Sequence, residues 1–264
     1  MDAKVAVNNI RKKFKELPVV DGVDFQIGDG EFVAIVGPSG CGKSTLMKIV
    51  AGFEQPDAGD VRIDGERVTR PSPKGIVISQ HGSVFPWLTV QQNLMFGLTG
   101  DNHGDKAALA DHYAAMVGLK GFENAYPHQL SGGMLKRVEI ARALVVKPEI
   151  LYMDEPFSAL DALMNLKMRN ELLRVLTEER HTVLLITHDV EEAIYLADRI
   201  LVLSPRPTRI QASFRVEQPH PRKLSSPVLQ QLKEDILVQL GVNNDESSRQ
   251  GPIDQRAEGL VDAG

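Results

Sequence analysis

The chain is short of several features that would have narrowed its function class directly. It has one cysteine, Cys41, in 264 residues, so no internal disulfide framework can form. A reducing, cytosolic setting fits that usage. No stretch approaches the ~18 consecutive apolar residues of a membrane-spanning helix. No hydrophobic signal segment is expected at the N-terminus. Any membrane role is therefore expected to come through a partner. Positive charge is not in excess: the net charge is -5 and the pI about 5.8. The electrostatic footprint of a nucleic-acid binder is missing. The densest basic run, Arg11-Lys12-Lys13-Phe14-Lys15, is short and reads as a solvated turn.

What is present is concentrated in Gly37-Pro38-Ser39-Gly40-Cys41-Gly42-Lys43-Ser44-Thr45. The stretch fits G-x-x-x-x-G-K-[ST], a loop that cradles phosphates. Its glycines let the backbone curl until successive N–H groups point at an anion. Lys43 brings positive charge to the β- and γ-phosphates, and the Ser44 hydroxyl suits Mg²⁺. A helix expected from Lys43 to about Ala51 aims its positive dipole end at the same place. The apolar run Glu31–Val36 before the loop reads as a strand, so the loop lies between strand and helix as this chemistry requires.

Residues 1 to about 36 read as short strands punctuated by Gly22, Gly28 and Gly30. Val61-Arg62-Ile63 followed by Asp64-Gly65 predicts a hairpin, and Gly75–Ser79 another strand. From about 88 to 146 the pattern is helical, with Leu135, Val138, Arg142 and Val145 at helical spacing. Strand and helix then alternate: a strand at Glu149–Met153, a helix from Asp161 to about Glu179, and strands at Thr182–Thr187 and Ile200–Leu203. The helix carries Leu160, Met164, Met168, Leu172 and Leu176, read as core packing. This alternation predicts an α/β fold with a largely parallel sheet covered by helices. Pro205, Pro207, Pro219 and Pro221 mark the expected end of the compact core. Leu224 to about Leu240 predicts one more helix, and from Gly241 the polar chain reads as a disordered tail.

The chemistry gathers at predicted strand ends, where ligands collect in open α/β sheets. Asp154 is suited to hold Mg²⁺, directly or through water. Glu155 is suited to take a proton from an attacking water. His188 ends one strand and can reach the γ-phosphate. Gln80 ends another and can orient water or the metal. A second anion device follows at Leu130-Ser131-Gly132-Gly133-Met134. Ser131 caps a helix, and its hydroxyl and the next N–H groups face an anion. Two separate γ-phosphate devices in one chain serve one nucleotide most simply when two copies face each other head to tail.

With these motifs in order, the chain resembles the ATP-binding subunit of an ABC transporter over about residues 4–215. The resemblance rests on the loop at 37–45, Gln80, the 130–134 signature, the strand end at 150–155, Ser158-Ala159-Leu160-Asp161, and His188. It implies a P-loop NTPase (RecA-like) core with an antiparallel β subdomain over 1–87 and 147–215. It further implies an inserted helical signature subdomain at 88–146 and a C-terminal part at 216–264. It also implies ATP and Mg²⁺ as ligands, and a homodimer in which Ser131 and Gly133 of one copy bind the γ-phosphate held by the other's Lys43. Asp161 would communicate across that interface, and Phe14 would stack on adenine. Two transmembrane permease subunits, an extracytoplasmic binding protein acting indirectly, and a place on the cytoplasmic face of the membrane follow from the same resemblance.

Some positions depart from the family pattern. Met134 stands where glutamine is frequent, and Leu135 and Lys136 where arginine and glutamine are common. The thiol of Cys41, near a helix N-terminus, is expected to have a lowered pKa. Phe85–Leu94 and Ala197–Pro207 resemble the nitrate/sulfonate/taurine importer branch. Trp87, the only tryptophan, suits either a core position or a contact with a permease helix in the groove after Gln80. A DNA-repair or chromosome-maintenance ATPase is the alternative class, but no sustained heptads lie between loop and signature. A P-loop kinase would have no use for the signature.

Overall fold

The computed structural model describes residues 3–80, 82–99, 103–158 and 160–242. The expected tail after Gly241 falls almost wholly outside these residues, as does Ala159.

Strands β1 (Ala3–Phe14) and β2 (Leu17–Gly28) pair antiparallel. β3 (Phe32–Val36) leads through the glycine-rich loop into α1 (Lys43–Val50). β4 (Ala58–Ile63) returns antiparallel to β1 and turns into β5 (Glu66–Arg67). Both turn residues have positive φ, 51° at Asp64 and 79° at Gly65, as a two-residue type I′ hairpin needs. These strands form one antiparallel sheet of order β2-β1-β4-β5.

β6 (Gly75–Ile78) begins the second sheet. Helices α2 (Val90–Met95), α3 (His103–Met116) and α4 (Gly132–Leu144) follow, with a 3₁₀ turn at Pro127–Gln129. Then come β7 (Ile150–Asp154), α5 (Ala162–Glu179), β8 (Thr182–Ile186), α6 (Val190–Leu196), β9 (Arg199–Leu203), β10 (Ile210–Arg215) and α7 (Pro227–Gln239). The sheet order is β10-β9-β3-β8-β7-β6, parallel except for β10 on β9. The architecture is that of a P-loop NTPase with an added antiparallel sheet and helical segment.

Every residue of β3, β7 and β8 is buried, which is why they read as unbroken apolar runs: parallel strands are covered on both faces. The two-residue side-chain period splits β3 between two cores. Val33 and Ile35 join α1 (Leu46, Met47, Ile49) and the antiparallel sheet. Phe32, Ala34 and Val36 join α5 and α6 (Leu172, Leu176, Leu196), with Val138 of α4 in the same cluster. The Met168, Leu172, Leu176 stripe is core, as its spacing predicted.

Several expectations need correction. Arg11–Phe14 is the end of a strand, not a solvated turn; the turn is Lys15–Glu16. Lys12 is held there by Glu54 at 2.6 Å and the Gln55 carbonyl at 2.8 Å. β1 and β2 are longer than their patterns suggested, because register shifts break the alternation. The prolines at 205–221 do not end the core. β10 follows Pro207 as a half-exposed edge strand, and Val216 and Arg222 are buried beyond it. The C-terminal helix starts at Pro227 behind a Ser226 cap, and its Leu229 and Ile236 belong to the main core. α6, only seven residues long, was not anticipated.

Candidate functional site

The phosphate loop leaves β3 at Val36 and enters α1 through Gly42, whose φ is 122°. A Cβ there would lie 2.8 Å from Val19 Cγ1, so the position requires glycine. The α1 N-cap carries no side-chain hydrogen bond, so the first-turn amides remain the exposed positive end of the helix. Lys43 is 7% exposed, and its Nζ donates to the carbonyls of Gly37 at 2.8 Å and Pro38 at 3.0 Å.

Cys41 turns its side chain into the core. Its N–H donates to Pro38 O at 3.2 Å, but the thiol is 2% exposed and packs in the core on the α1 side of β3. It does not line the site.

A cavity of about 610 Å³ opens over the loop. Phe14, Leu17 and Val19 line it from β1 and β2, and Ser39, Gly40, Gly42, Lys43, Ser44 and Thr45 from the loop and α1. Gln80, Glu155 and His188 enter from just beyond the C-terminal ends of β6, β7 and β8, and Arg206 from the segment after β9. Phe14 is 46% exposed, with Lys12 Nζ 5.3 Å from its ring centre.

Glu155 sits in the left-handed region, φ 49°, an uncommon conformation for a non-glycine residue, and its N–H is held by Ile186 O at 2.9 Å. Two groups converge on its carboxylate. Gln80 Nε2 donates to Oε2 at 3.3 Å, and His188 Nδ1 lies 3.2 Å from Oε1. Asp154, next to it, is 6% exposed and accepts from the Ser44 hydroxyl. Burial raises its pKa and the Glu155 charge adds to that, against the Ser44 bond and the charges of Lys43 and Lys48.

His188 is bracketed by a buried network. The Thr187 hydroxyl donates to Glu192 Oε2 at 2.8 Å and accepts from Asp189 N–H at 3.0 Å. Arg169 of α5 bonds Asp189 at 2.8 Å and lies 3.7 Å from Glu192.

The signature residues Ser131, Gly132 and Gly133, and Asp161, are not brought to the cavity of their own chain. Ser131 caps α4 by accepting from Met134 N–H at 3.3 Å, and it and Gly132 are exposed. Gly133 and Asp161 do not line the cavity either; Asp161 caps α5, accepting from Met164 N–H at 2.9 Å.

Sequence reasoning missed two features. One is Arg206, which belongs to no phosphate motif. The other is a buried ion pair on α4. Lys136 Nζ donates to the Ser79 carbonyl at 2.6 Å and lies 3.1 Å from Glu139, which accepts from Ser83 N–H. Arg142, one turn on, donates to the Ser83 hydroxyl at 2.7 Å and covers the Phe85 ring at 4.8 Å. The unusual residue at 136 thus grips the segment that carries Gln80. Trp87 is 68% exposed, which removes the core option for it. It lies 5.5 Å from Phe85, which packs 4.5 Å from Phe96. Fully buried Asn93 fixes this turn by bonding Phe85, Leu88 and Thr89.

A glycine-rich loop feeding a helix, with Gln80, Glu155 and His188 beyond parallel strand ends, defines a P-loop nucleoside triphosphatase. Comparison narrows the class. The family model described as ABC transporter matches residues 20–158. A protein of Brucella abortus biovar 1, named for ATP binding, is 47% identical over 224 residues, 84% of this chain and 86% of that protein. The aliphatic sulfonates import ATP-binding protein SsuB of Bacillus cereus is 40% identical over 239 residues, 89% of this chain and 95% of its own length. The dimeric structure of MJ0796, a bacterial ABC transporter cassette, superimposes with a TM-score of 0.74 at 29% identity, covering 81% of this chain and 100% of that one. A second structure of MJ0796, a post-hydrolysis state bound to ADP and Pi, gives a TM-score of 0.72 at 30% identity with the same coverage. The chain belongs to the ABC transporter family, as an ATP-binding subunit that hydrolyses ATP.

Proposed function

We propose that this chain energises the import of a small anion of the nitrate, sulfonate or taurine type. Two copies would close on ATP and reopen on hydrolysis, moving a pair of membrane permease subunits. The convergence of Gln80 and His188 on the two oxygens of Glu155, inside the cavity that holds Lys43, carries the catalytic part of this reading. The name of the Bacillus relative supports an organic sulfonate as cargo. No helix among the described residues is long and apolar enough to cross a membrane. Attachment at the cytoplasmic face would thus run through the permeases, with an extracytoplasmic binding protein acting indirectly. Exposed Trp87 and Phe96, flanking half-buried Phe85, offer the docking surface.

The roles follow from the chemistry of each side chain. The loop amides, Lys43 and the α1 dipole hold the phosphates, with adenine against Phe14. Glu155 takes the proton of a water whose oxygen attacks the γ-phosphorus, while the bond from γ-phosphorus to the β–γ bridging oxygen breaks and that oxygen leaves, with the bonding electrons, on ADP. His188 and Gln80 orient that water and the γ-phosphate. Ser44, Asp154 and Gln80 offer only oxygen donors, and no fuller cluster of His, Cys, Asp or Glu is assembled among the described residues. A partial oxygen set with a buried carboxylate whose pKa is pushed up fits Mg²⁺ shared with phosphate oxygens. When bound, that ion neutralises phosphate charge. Ser131, Gly132 and Gly133 of the second copy complete the γ-phosphate shell, and Asp161 relays between the two sites.

The test is Glu155→Gln. The variant is expected to keep ATP affinity, lose turnover by ~10²-fold or more, and accumulate as a nucleotide-bound dimer in size-exclusion chromatography. A variant hydrolysing ATP at the wild-type rate would remove Glu155 from the base role.

A further inference from the structure

The cavity is lined by two basic side chains of the lysine/arginine type, Lys43 and Arg206, and the reading above uses only the first. Arg206 is not there by accident of a loose loop. Its segment is fastened on both sides by Thr208, which is fully buried. The Thr208 hydroxyl donates to the Cys41 carbonyl, its N–H donates to Val19 O at 2.8 Å, and its carbonyl accepts from Asp21 N–H at 3.0 Å. The segment thereby joins the phosphate loop to the strand pair that carries Phe14.

The Arg206 head group is aimed as well as anchored. Nε donates to the carbonyl of Gly40 at 2.5 Å, and a Cβ on Gly40 would stand 3.2 Å from Nη2. Among the described residues no carboxylate forms an ion pair with Arg206, whereas Arg209, three positions on, is paired with Asp21. A guanidinium with Nε spent on a carbonyl keeps its two Nη groups for an acceptor. Their planar fork matches phosphate oxygens.

We propose that Arg206 is a nucleotide-binding residue: held on the Gly40 carbonyl, its guanidinium contacts the phosphate chain of the nucleotide that fills the cavity. The proposal rests on the ATP-binding reading and deepens it by assigning a second cation to the triphosphate. Because Arg206 is exposed, its effect is moderate and sensitive to salt.

The experiment compares wild type, Arg206→Gln, Arg206→Lys and Lys43→Ala by calorimetric titration with ATP, ADP and adenosine at two ionic strengths. The glutamine amide retains a donor for Gly40 O but carries no charge. Arg206→Gln is expected to weaken ATP about tenfold, the effect of one charge-assisted contact. It should also flatten the salt dependence and leave adenosine unchanged, with Arg206→Lys recovering part of the loss. Wild-type ATP affinity and salt dependence in Arg206→Gln overturn the proposal while a crippled Lys43→Ala keeps the ATP reading intact. Equal losses for ATP and adenosine also overturn it, because the contact would then lie with the nucleoside. Unchanged ATP affinity in Lys43→Ala would sink the phosphate-loop reading itself.

Discussion

Glu192 stands beside the His188 turn with its pKa pushed up to about 7 from an ordinary 4.5, chiefly by burial. The Thr187 hydroxyl, Arg169 and His188 pull it down, and Asp189 pushes it up. Between about pH 4.5 and 7 the folded protein holds a proton here that the unfolded chain has released. Stability therefore falls as pH rises through that window, and the penalty is complete above about pH 7. At about 1.4 kcal/mol per unit the cost is on the order of 3 kcal/mol. Glu192→Gln keeps an acceptor for Thr187 and is expected to abolish this part of the stability–pH slope in urea titrations between pH 5 and 8. An unchanged slope would remove Glu192 as its source. At this scale the sequence was most informative where one residue ends a strand. Gln80, Glu155 and His188 meet in one cavity because parallel strands deliver the residues just past their ends to the same edge, where the loop from β3 brings Lys43. Arg206 was illegible because its place depends on bonds made by Thr208 to residues far away in the chain.

The element that does more than its pattern announces is α4. Of the four positions at helical spacing, Val138 and Val145 are buried, while Leu135 and Arg142 are half-buried. Its opposite feature, Lys136 and Glu139 at 6% and 3% exposure, ran against the usual rule that such residues stay in water. Glu139 Oε2 lies close to Lys136 without hydrogen-bond alignment, so the pair is held mainly by charge and by the Ser79 and Ser83 backbone. Glu139→Ala leaves a buried ammonium unpaired and is expected to cost ~3–5 kcal/mol. Lys136→Met with Glu139→Ala should recover most of it, read as urea midpoints. Equal destabilisation by the single and double variants would show that the pair is not coupled. Edge strand β10 and short α6 were missed for a related reason. β10 is half exposed and follows prolines, and α6 gains its burial only by packing against α5, α7 and the sheet.

For the whole molecule the decisive fact is that Ser131, Gly132 and Gly133 do not line their own chain's cavity. A head-to-tail pair would place Lys43 of each copy opposite Ser131 of the other. Lys43→Ala and Ser131→Arg should each lose ATPase activity by at least ~10²-fold when alone, the first by leaving phosphate charge unbalanced and the second by filling with a bulky side chain the place where the hydroxyl meets the γ-phosphate. Mixed in equal amounts with the permeases, they should recover measurable hydrolysis, because one of the two joint sites in a mixed pair is then intact. Phosphate-release assays that show Ser131→Arg fully active alone, or no recovery on mixing, would contradict shared sites. The sequence points to this arrangement, since two phosphate devices exceed what one nucleotide bound to one chain can use, and the mixing experiment decides it.

Gln80 and the exposed aromatic turn at Phe85 are gripped from the same helix that Ser131 begins. Such a linkage runs in both directions with equal strength. If clasping the triphosphate shifts the span from Ser79 to Phe85, then a permease leaning on Trp87 retunes nucleotide affinity by the same factor.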